Sequence, residues 1–290
     1  MPMNIRFKNA IDFRKSLEAR LQTISKNKGL DLQRLRRKVA FDRFLARIFS
    51  QEQSGFYLKG GYAMELRIAQ ARATKDIDLT YIGRVKDEAE LLNRLIWSDL
   101  QTIAQRDLND HFTYQVSAAE MDLENAPYGG ARYPVSSFID KKLFVRFQLD
   151  VGADFLVDKV EFIQGNDWLE FCSIAPPTIS MISIEQQFAE KLHTYTLPRE
   201  DRLNSRAKDL IDMILLLNMH PSNRTGMLHA LQAVFQKRDT HSLPKKLIPP
   251  PAEWDSQFVK MAVECGISQN MQEHFVRVSD FFDGMNFTFS

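Results

Sequence analysis

Two aspartates that stand two positions apart, Asp76 and Asp78, are the residues of this sequence best suited to do chemistry. On a β-strand, residues i and i+2 point to the same face, so both carboxylates would project together while Ile77 packs into the core. Carboxylates this close repel each other unless a cation lies between them, and Mg²⁺ prefers hard oxygen ligands of this kind. The pair therefore predicts a divalent metal site, and a solvated strand edge is the alternative interpretation.

Paired glycines, Gly60 and Gly61, precede these aspartates by one predicted helix and follow a short apolar strand. Glycines let the backbone approach a triphosphate and offer N–H groups at the beginning of a helix. A tight turn without a ligand is the alternative, because glycines form such turns in many proteins. A Gly-Gly turn, a short helix and a strand that carries Asp-x-Asp are more specific together than either part alone.

A third carboxylate, Asp150, stands on the most regularly alternating segment of the chain, residues 144–151. Apolar side chains there would face one side of a strand and polar ones, including Asp150, the other side. Three carboxylates could hold two metal ions, one that activates an attacking hydroxyl and one that steadies a leaving pyrophosphate. An exposed strand aspartate without a chemical role is the alternative.

A cluster of charged residues follows in the helical part of the chain. Lys191 is a compact cation suited to a triphosphate. Arg206, Asp209 and Asp212 are spaced by three and would share one side of a helix. Ion pairing on a helix surface, including Lys208 with Asp212 four positions on, is the alternative interpretation.

The elements that must position these residues follow from hydrophobic periodicity and turn residues. Helices are predicted over residues 8–50, with a break near Gly29, and from the glycine turn through residue 70. Further helices are predicted over 86–106, 184–195, 204–219 and 222–238. Strands are predicted at 56–58, 76–82, 111–116, 131–139 and 144–151. Residues 183–186 are typical of a capping box, and two more helices follow the proline-rich residues 244–251. These patterns predict N-terminal helices (1–50), an α/β domain (51–176) and a helical domain (177–290).

Composition and charge exclude several classes of protein. The chain is 44% hydrophobic and 26% charged, which is typical of soluble globular proteins. No apolar run approaches the length of a transmembrane helix, and the N-terminus does not resemble a signal peptide. Cys172 and Cys265 lack a metal-ligand spacing and indicate a reducing compartment, so a cytoplasmic protein is expected.

The net charge of +1 is unevenly distributed along the chain. Residues 1–47 carry 13 Lys and Arg against 4 Asp and Glu, a net charge of +9, which leaves −8 for the remainder. Clustered cations release counterions from a nucleic-acid backbone, so these helices predict an RNA-binding surface that includes Arg36, Arg37 and Arg43. A solvated helix face is an equally good interpretation.

Taken in chain order, these segments resemble the signature of the AbiEii/AbiGii nucleotidyltransferase toxins. That signature is a Gly-Gly turn and helix followed by Arg-x-Ser/Thr-x-Asp-x-Asp. The matching segments are Leu58-Lys59-Gly60-Gly61-Tyr62-Ala63-Met64-Glu65-Leu66, Arg72-Ala73-Thr74-Lys75-Asp76-Ile77-Asp78-Leu79, Phe147-Gln148-Leu149-Asp150-Val151, Glu190-Lys191-Leu192 and Arg206-x-Lys208-Asp209-x-x-Asp212. The resemblance spans roughly residues 55–220.

The resemblance implies a fold, a reaction and residue roles. The fold is an α/β (α+β) nucleotidyltransferase fold, a mixed sheet with flanking helices, followed by a helical C-terminal domain. The protein would be the toxin of an abortive-infection or toxin–antitoxin pair, with a cognate antitoxin as partner. It would transfer a nucleotide from an NTP to an acceptor such as the 3′ end of tRNA and so block translation. The implied site comprises metal ligands for Mg²⁺ or Mn²⁺ (Asp76, Asp78, Asp150), catalytic residues (these three with Lys191 and Asp209) and nucleotide-binding residues (Gly60, Gly61, Arg72, Thr74, Lys191, Arg206).

Two alternatives remain open on the sequence. One is a non-catalytic module that binds RNA or an antitoxin on the same scaffold, with the basic N-terminal segment as its binding surface. The other is a nucleotidyltransferase that modifies a protein or a small molecule. The intact set of acidic residues argues against the first, because mutually repelling carboxylates without a metal would only destabilise the fold.

Overall fold

The computed structural model describes residues 7–51, 54–82, 89–123, 128–157, 159–198, 206–221 and 223–285. The chain divides into two compact units. The first contains Met1–Leu66, Ala73–Phe155 and Phe162–Met181, and the second contains Arg67–Arg72, Leu156–Glu161 and Ile182–Ser290. The domain boundaries predicted near residues 50 and 176 stay predictions.

Two helices open the first unit, α1 (Ala10–Lys28) and α2 (Leu32–Ile48). The side chain of Asn9 accepts a hydrogen bond from the backbone of Asp12 and caps α1, which ends at Gly29 with a φ of 63°. This left-handed conformation is easily adopted by glycine, and it explains the break that the sequence predicts there. Apolar side chains of both helices pack into the core of the first unit.

The described residues form one mixed sheet of eight strands. The strands are β1 (Phe56–Lys59), β2 (Asp76–Tyr81), β3 (Phe112–Val116), β4 (Met121–Asp122), β5 (Gly130–Ile139), β6 (Lys142–Ala153), β7 (Glu161–Gln164) and β8 (Thr178–Met181). Their order is β3-β5-β6-β2-β1-β8-β7, with β4 paired to β5. Strands β2 and β6 run parallel, and so do β1 and β8. Strand β1 is antiparallel to β2, and β5 is antiparallel to β6. The mixed sheet predicted from the family resemblance is confirmed.

Two helices connect strands of the sheet, α3 (Gly60–Arg67) between β1 and β2 and α4 (Ala89–Ala104) between β2 and β3. Helix α3 is three residues shorter than the sequence predicts. The first residues of the helix predicted over 86–106 lie outside the described part. A short 3₁₀ turn, Glu170–Cys172, precedes β8.

Strand β6 shows the alternation that the sequence predicts. Phe147, Leu149 and Val151 are buried, while Gln148 and Asp150 between them are partly exposed. A strand with one buried and one polar face fixes the direction of every side chain, because a shift by one residue would reverse all of them. Asp150 is therefore held on the polar face.

The second unit contains α5 (Ile184–Thr196), α6 (Ala207–Asn218), α7 (Arg224–Arg238), a 3₁₀ turn (Ala252–Trp254), α8 (Asp255–Cys265) and α9 (Met271–Asp283). Ser183 caps α5 by accepting a hydrogen bond from the backbone of Gln186. The Gln186 side chain bonds Glu190 and the backbone of Val157, so one half of the predicted capping box is present. The beginning predicted for α6 at residue 204 lies outside the described residues. In the described part, no helix is long and apolar enough to cross a membrane.

Two arginines of the basic N-terminal segment are buried rather than exposed. Arg47 and Asp110 have no exposed side-chain surface, and Arg43 is almost as deeply buried. Asp110 accepts hydrogen bonds of 2.8 Å from Arg43 Nε and 2.8 Å from Arg47 Nη2. The prediction that Arg43 contributes to an RNA-binding surface is wrong, because its charge is neutralised by an internal ion pair in the first unit.

Candidate active site

Four charged residues form a row across four adjacent strands of the first unit. Lys59 on β1 is opposite Asp78 on β2, Asp78 is opposite Asp150 on β6, and Asp150 is opposite Arg132 on β5. Directly opposed residues share a face of the sheet, so both carboxylates and both cations point to the same side. Asp76 stands two positions before Asp78 and shares this face, whereas Ile77 between them is buried. The structure thus brings the three predicted carboxylates to one face of two neighbouring strands.

The glycine turn closes directly onto Asp78. Gly60 has a φ of 67°, and a Cβ atom at this position would overlap with the Asp78 carboxylate. The backbone N–H of Gly61 donates to Asp78 Oδ2 at 3.3 Å. A Cβ atom at Gly61 would lie 2.8 Å from Thr74 Oγ1. The two glycines are needed here because the backbone approaches the acidic strand too closely for any side chain.

Thr74 connects this acidic strand to helix α3. Its hydroxyl donates to Asp76 Oδ1 at 2.5 Å, and its backbone N–H donates to Glu65 Oε1 at 2.7 Å. Glu65 is buried and pairs through Oε2 with Arg34 at 3.1 Å and Lys38 at 2.9 Å. The chain of contacts fixes the Asp76 carboxylate through Thr74 and Glu65 to cations of α2. Arg34 and Lys38 of the basic N-terminal segment thus have a structural partner in Glu65.

Arg132 and Asp150 form a bidentate ion pair. Arg132 Nε and Nη2 each donate to a different oxygen of Asp150 at 2.7 Å. The pKa of Arg132 is raised above its usual value, first by the hydrogen bond with Asp150 and further by the charges of Asp150, Asp76 and Asp78. That all three carboxylates act on one guanidinium shows how concentrated the negative charge is on this face.

The residues fit a divalent cation held by the β2 aspartates. Lys59 is paired with Asp154, and the three carboxylates with Arg132 leave an excess of two negative charges on this face. The glycine backbone leaves no side chain between itself and Asp78. Over the described ranges, however, no group of three or more His, Cys, Asp or Glu side chains is arranged to hold one metal ion together. Asp76 and Asp78 therefore suit a cation, and Asp150 as a metal ligand stays a prediction.

The remaining predicted site residues lie in the second unit. Lys191 on α5 contacts two carboxylates of α6, with Nζ 3.2 Å from Asp209 Oδ1 and 2.9 Å from Asp212 Oδ2. Arg72 binds Asp212 in a bidentate pair of 2.8 and 2.9 Å. Arg206 stands just before α6, with Nη1 3.6 Å from Asp209 Oδ2. The structure thus places Lys191, Arg72 and Arg206 around the two aspartates that the sequence had put on one helix side.

The charged groups of this buried cluster shift one another's pKa values. Burial alone would lower the pKa of Lys191, but Asp212 and Asp209 outweigh it and hold the pKa above its usual value. Burial alone would raise the pKa of Asp212, yet Lys191 and Arg72 hold it below its usual value. In the described structure, Asp209 Oδ2 is buried without a hydrogen-bond partner. This oxygen is 3.6 Å from Arg206 Nη1 but accepts no hydrogen bond, so it can accept one from a ligand hydroxyl.

The alternative interpretation, in which Lys208 pairs with Asp212 on a helix surface, does not match the structure. Asp212 is fully buried and bonded to Arg72 and Lys191, whereas Lys208 is exposed. The interpretation as surface ion pairing fails with it, because the pairs of Asp209 and Asp212 are buried.

Sequence reasoning missed Arg132, Glu65 and Lys59 as members of these clusters. Lys59 Nζ lies 3.1 Å from the buried Asp154, which stands just after β6. The position of Arg132 could not be predicted from the hairpin turn at Asp140 and Lys141, because a register shift between Ser137 and Phe138 is needed to set Arg132 opposite Asp150 rather than Leu149. Glu65 gave no signal either, since its partners come from a distant helix.

Comparison with known proteins identifies the family of the chain. The family model described as nucleotidyl transferase AbiEii toxin, type IV TA system, matches residues 43–281. Among solved structures, MenT4, a nucleotidyltransferase toxin from Mycobacterium tuberculosis H37Rv, is 12% identical with a TM-score of 0.57, covering 90% of this chain and 93% of that chain. JHP933 from Helicobacter pylori is 13% identical with a TM-score of 0.48, covering 88% and 94%. No curated protein sequence matches. The likeness to MenT4 supports the fold.

Proposed function

The chain belongs to the AbiEii family of nucleotidyl transferase toxins of type IV toxin–antitoxin systems, and we propose that it transfers a nucleoside monophosphate from an NTP to the 3′ end of tRNA. The transfer depends on a divalent cation, Mg²⁺ or Mn²⁺, and takes place in the cytoplasm, where NTPs and tRNA are present. An antitoxin is expected as the partner that limits this activity. The observation that carries the proposal is the face shared by Asp76 and Asp78 beside the glycine turn.

Asp76 and Asp78 hold the cation in this proposal. A divalent cation there would neutralise triphosphate charge and favour ionisation of the attacking hydroxyl. Thr74 orients Asp76 through its 2.5 Å hydrogen bond, and the Gly61 N–H orients Asp78. Gly60 and Gly61 keep side chains away from Asp78, so that a phosphate group can approach it. Asp150 is the third acidic residue of the site.

The charged cluster around Asp209 and Asp212 is proposed to bind the nucleotide. Lys191 stays protonated because Asp209 and Asp212 stabilise its charge, so it offers a permanent cation to phosphate oxygens. Arg206 offers a second cation. Arg72 holds Asp212 in place by its bidentate pair and so fixes Lys191 indirectly. Asp209, whose Oδ2 accepts no hydrogen bond within the protein, is proposed to accept one from the substrate.

A labelling experiment tests this function. The protein is incubated with Mg²⁺, each labelled NTP in turn, and a mixture of total RNA and protein. We expect label on tRNA, and no label on tRNA whose 3′ diol has been oxidised by periodate. Label on a protein or a small molecule instead would leave the transfer in place but overturn the tRNA acceptor.

Two variants test the site. Asp76→Asn and Asp78→Asn should abolish transfer and toxicity while the circular dichroism spectrum stays that of the wild type. Lys208→Ala is the matched control, because Lys208 is exposed. Full transfer activity in either folded aspartate variant would contradict the assignment of the cation site.

A further inference from the structure

The ion pair between Arg132 and Asp150 suggests how many cations this site holds. We propose that the guanidinium of Arg132 takes the place of a second metal ion beside Asp150, so that the site binds one divalent cation, at Asp76 and Asp78. The proposal rests on the proposed function, since it concerns the same acidic face. It revises the expectation that three carboxylates hold two metal ions.

The geometry of the pair leaves Asp150 little capacity for a metal. Each carboxylate oxygen of Asp150 accepts a 2.7 Å hydrogen bond from a separate nitrogen of Arg132. A planar guanidinium matches a carboxylate in this bidentate form, which is the strongest pairing that the two groups make. A second metal ion could use only the remaining lone pairs of Asp150, where the adjacent positive guanidinium would repel it.

The backbone holds the two partners together. Strands β5 and β6 form a hairpin, and Arg132 and Asp150 are directly opposed in its register. Neighbouring pairs, Tyr133 with Leu149 and Ala131 with Val151, are buried on the opposite face. A shift of register would expose these apolar side chains, so the ion pair is fixed by the core beneath it.

The balance of charge favours one divalent cation. The shared face carries the charges of Asp76, Asp78 and Asp150, and Arg132 neutralises one of the three. The excess of two negative charges equals the charge of one Mg²⁺ or Mn²⁺ ion. The cation at the other end of the row, Lys59, is paired with the buried Asp154. An arginine stays protonated at every physiological pH, so Arg132 carries its positive charge whether or not a metal ion is bound nearby.

Counting bound Mn²⁺ tests this proposal without using enzyme activity. Free Mn²⁺ is measured by electron paramagnetic resonance as the ion is titrated into wild type, Arg132→Met and Arg132→Lys. Arg132 is 33% exposed and Asp150 12%, so a substitution on this partly open face should leave the fold intact. Arg132→Gln replaces Arg132→Met if the latter does not fold. We expect Arg132→Met to bind one more ion per chain than wild type.

Two controls identify the sites of the ions. Asp150→Asn introduced into Arg132→Met should remove the additional ion, because Asp150 is proposed to create the new site. Arg132→Lys keeps a positive charge beside Asp150 and should bind no more Mn²⁺ than wild type. An additional ion in Arg132→Lys, or none in Arg132→Met, would overturn the proposal.

The same titration separates this inference from the proposed function. Asp76→Asn together with Asp78→Asn should remove the ion that wild type binds, and its retention would contradict the proposed cation site. If the wild type already binds two ions and Asp150→Asn binds one, the role proposed for Arg132 is refuted. The proposed function would be unaffected by that result.

Discussion

The hydroxyl of Thr74 is expected to orient the metal-binding carboxylate of Asp76, and Thr74→Val tests this directly. Valine replaces the hydroxyl with a methyl group and nearly preserves the volume of the side chain. The change removes the 2.5 Å hydrogen bond to Asp76 Oδ1 and leaves the backbone hydrogen bond to Glu65 unchanged. Any decrease in activity would therefore be traced to the hydroxyl.

The size of the effect follows from the nature of this hydrogen bond. Thr74 is 6% exposed, so water replaces its hydroxyl poorly. A hydrogen bond to a charged group contributes about 1.5–3 kcal/mol. If the bond is needed in the transition state, its removal corresponds to a decrease in kcat/KM of roughly 10- to 150-fold. The free energy of unfolding should decrease by no more than about 1.5–3 kcal/mol, because the partly exposed Asp76 carboxylate can be hydrated in the variant.

The assay compares kcat, the KM for NTP and the affinity for Mn²⁺ in wild type, Thr74→Val and Thr74→Ser. Serine keeps the hydroxyl and should retain most of the activity. Thr74→Val should bind Mn²⁺ more weakly and transfer more slowly at saturating NTP. If Thr74→Val raised the KM for NTP and left Mn²⁺ affinity unchanged, the hydroxyl would contact nucleotide rather than Asp76. Wild-type kinetics in Thr74→Val would refute the reasoning altogether.

Three further predictions concern other charged clusters. Asp110→Asn should cost about 3–5 kcal/mol in chemical denaturation, because Arg43 and Arg47 stay buried without their counter-ion. Burial alone would raise the pKa of Asp110, but Arg47 and Arg43 hold it below its usual value. The stability from this carboxylate is thus complete above about pH 4 and is lost as the pH falls through the lowered pKa, and Asp110→Asn should flatten this part of the pH profile. Arg36→Gln with Arg37→Gln should reduce the salt slope of RNA binding by roughly 0.7–0.9 for each phosphate group that the variant no longer binds, and an unaltered slope would return α2 to the solvated-face interpretation. Lys191→Met should weaken NTP binding strongly in a fluorescence titration while Lys208→Ala should not, and equal small effects would exclude Lys191 from the phosphate site.

Periodicity was sufficient to predict the elements that carry the carboxylates. The alternation along β6 placed Asp150 on the polar face, and the spacing of Asp76 and Asp78 placed both on one side of β2. These patterns are reliable because a strand with one buried face has a single way to hide its apolar residues. The left-handed turn at Gly29 likewise followed from the type of residue.

The pairing of charges could not be predicted in the same way. A helical pattern shows which residues share a side but not what packs against that side. Arg43 and Arg47 resembled exposed cations because their partner, Asp110, comes from a loop 67 and 63 positions away. Spacing alone offered Lys208 as an alternative partner of Asp212, whereas the folded chain pairs Asp212 with Lys191 and Arg72. In each case the buried carboxylate is paired with a cation that is buried beside it, because a buried charge needs a partner.

The two clusters have opposite excess charges, and this difference assigns different tasks to them. In the first unit, Asp76, Asp78 and Asp150 outnumber Arg132, so this cluster attracts a cation. In the second unit, Arg72, Lys191 and Arg206 outnumber Asp209 and Asp212, so this cluster attracts an anion. Substitutions in the first cluster should therefore change metal affinity more than NTP affinity, and substitutions in the second should do the reverse. The sign of the excess charge cannot be read from either motif alone, because each contains both acids and bases and only their pairing decides which charge remains.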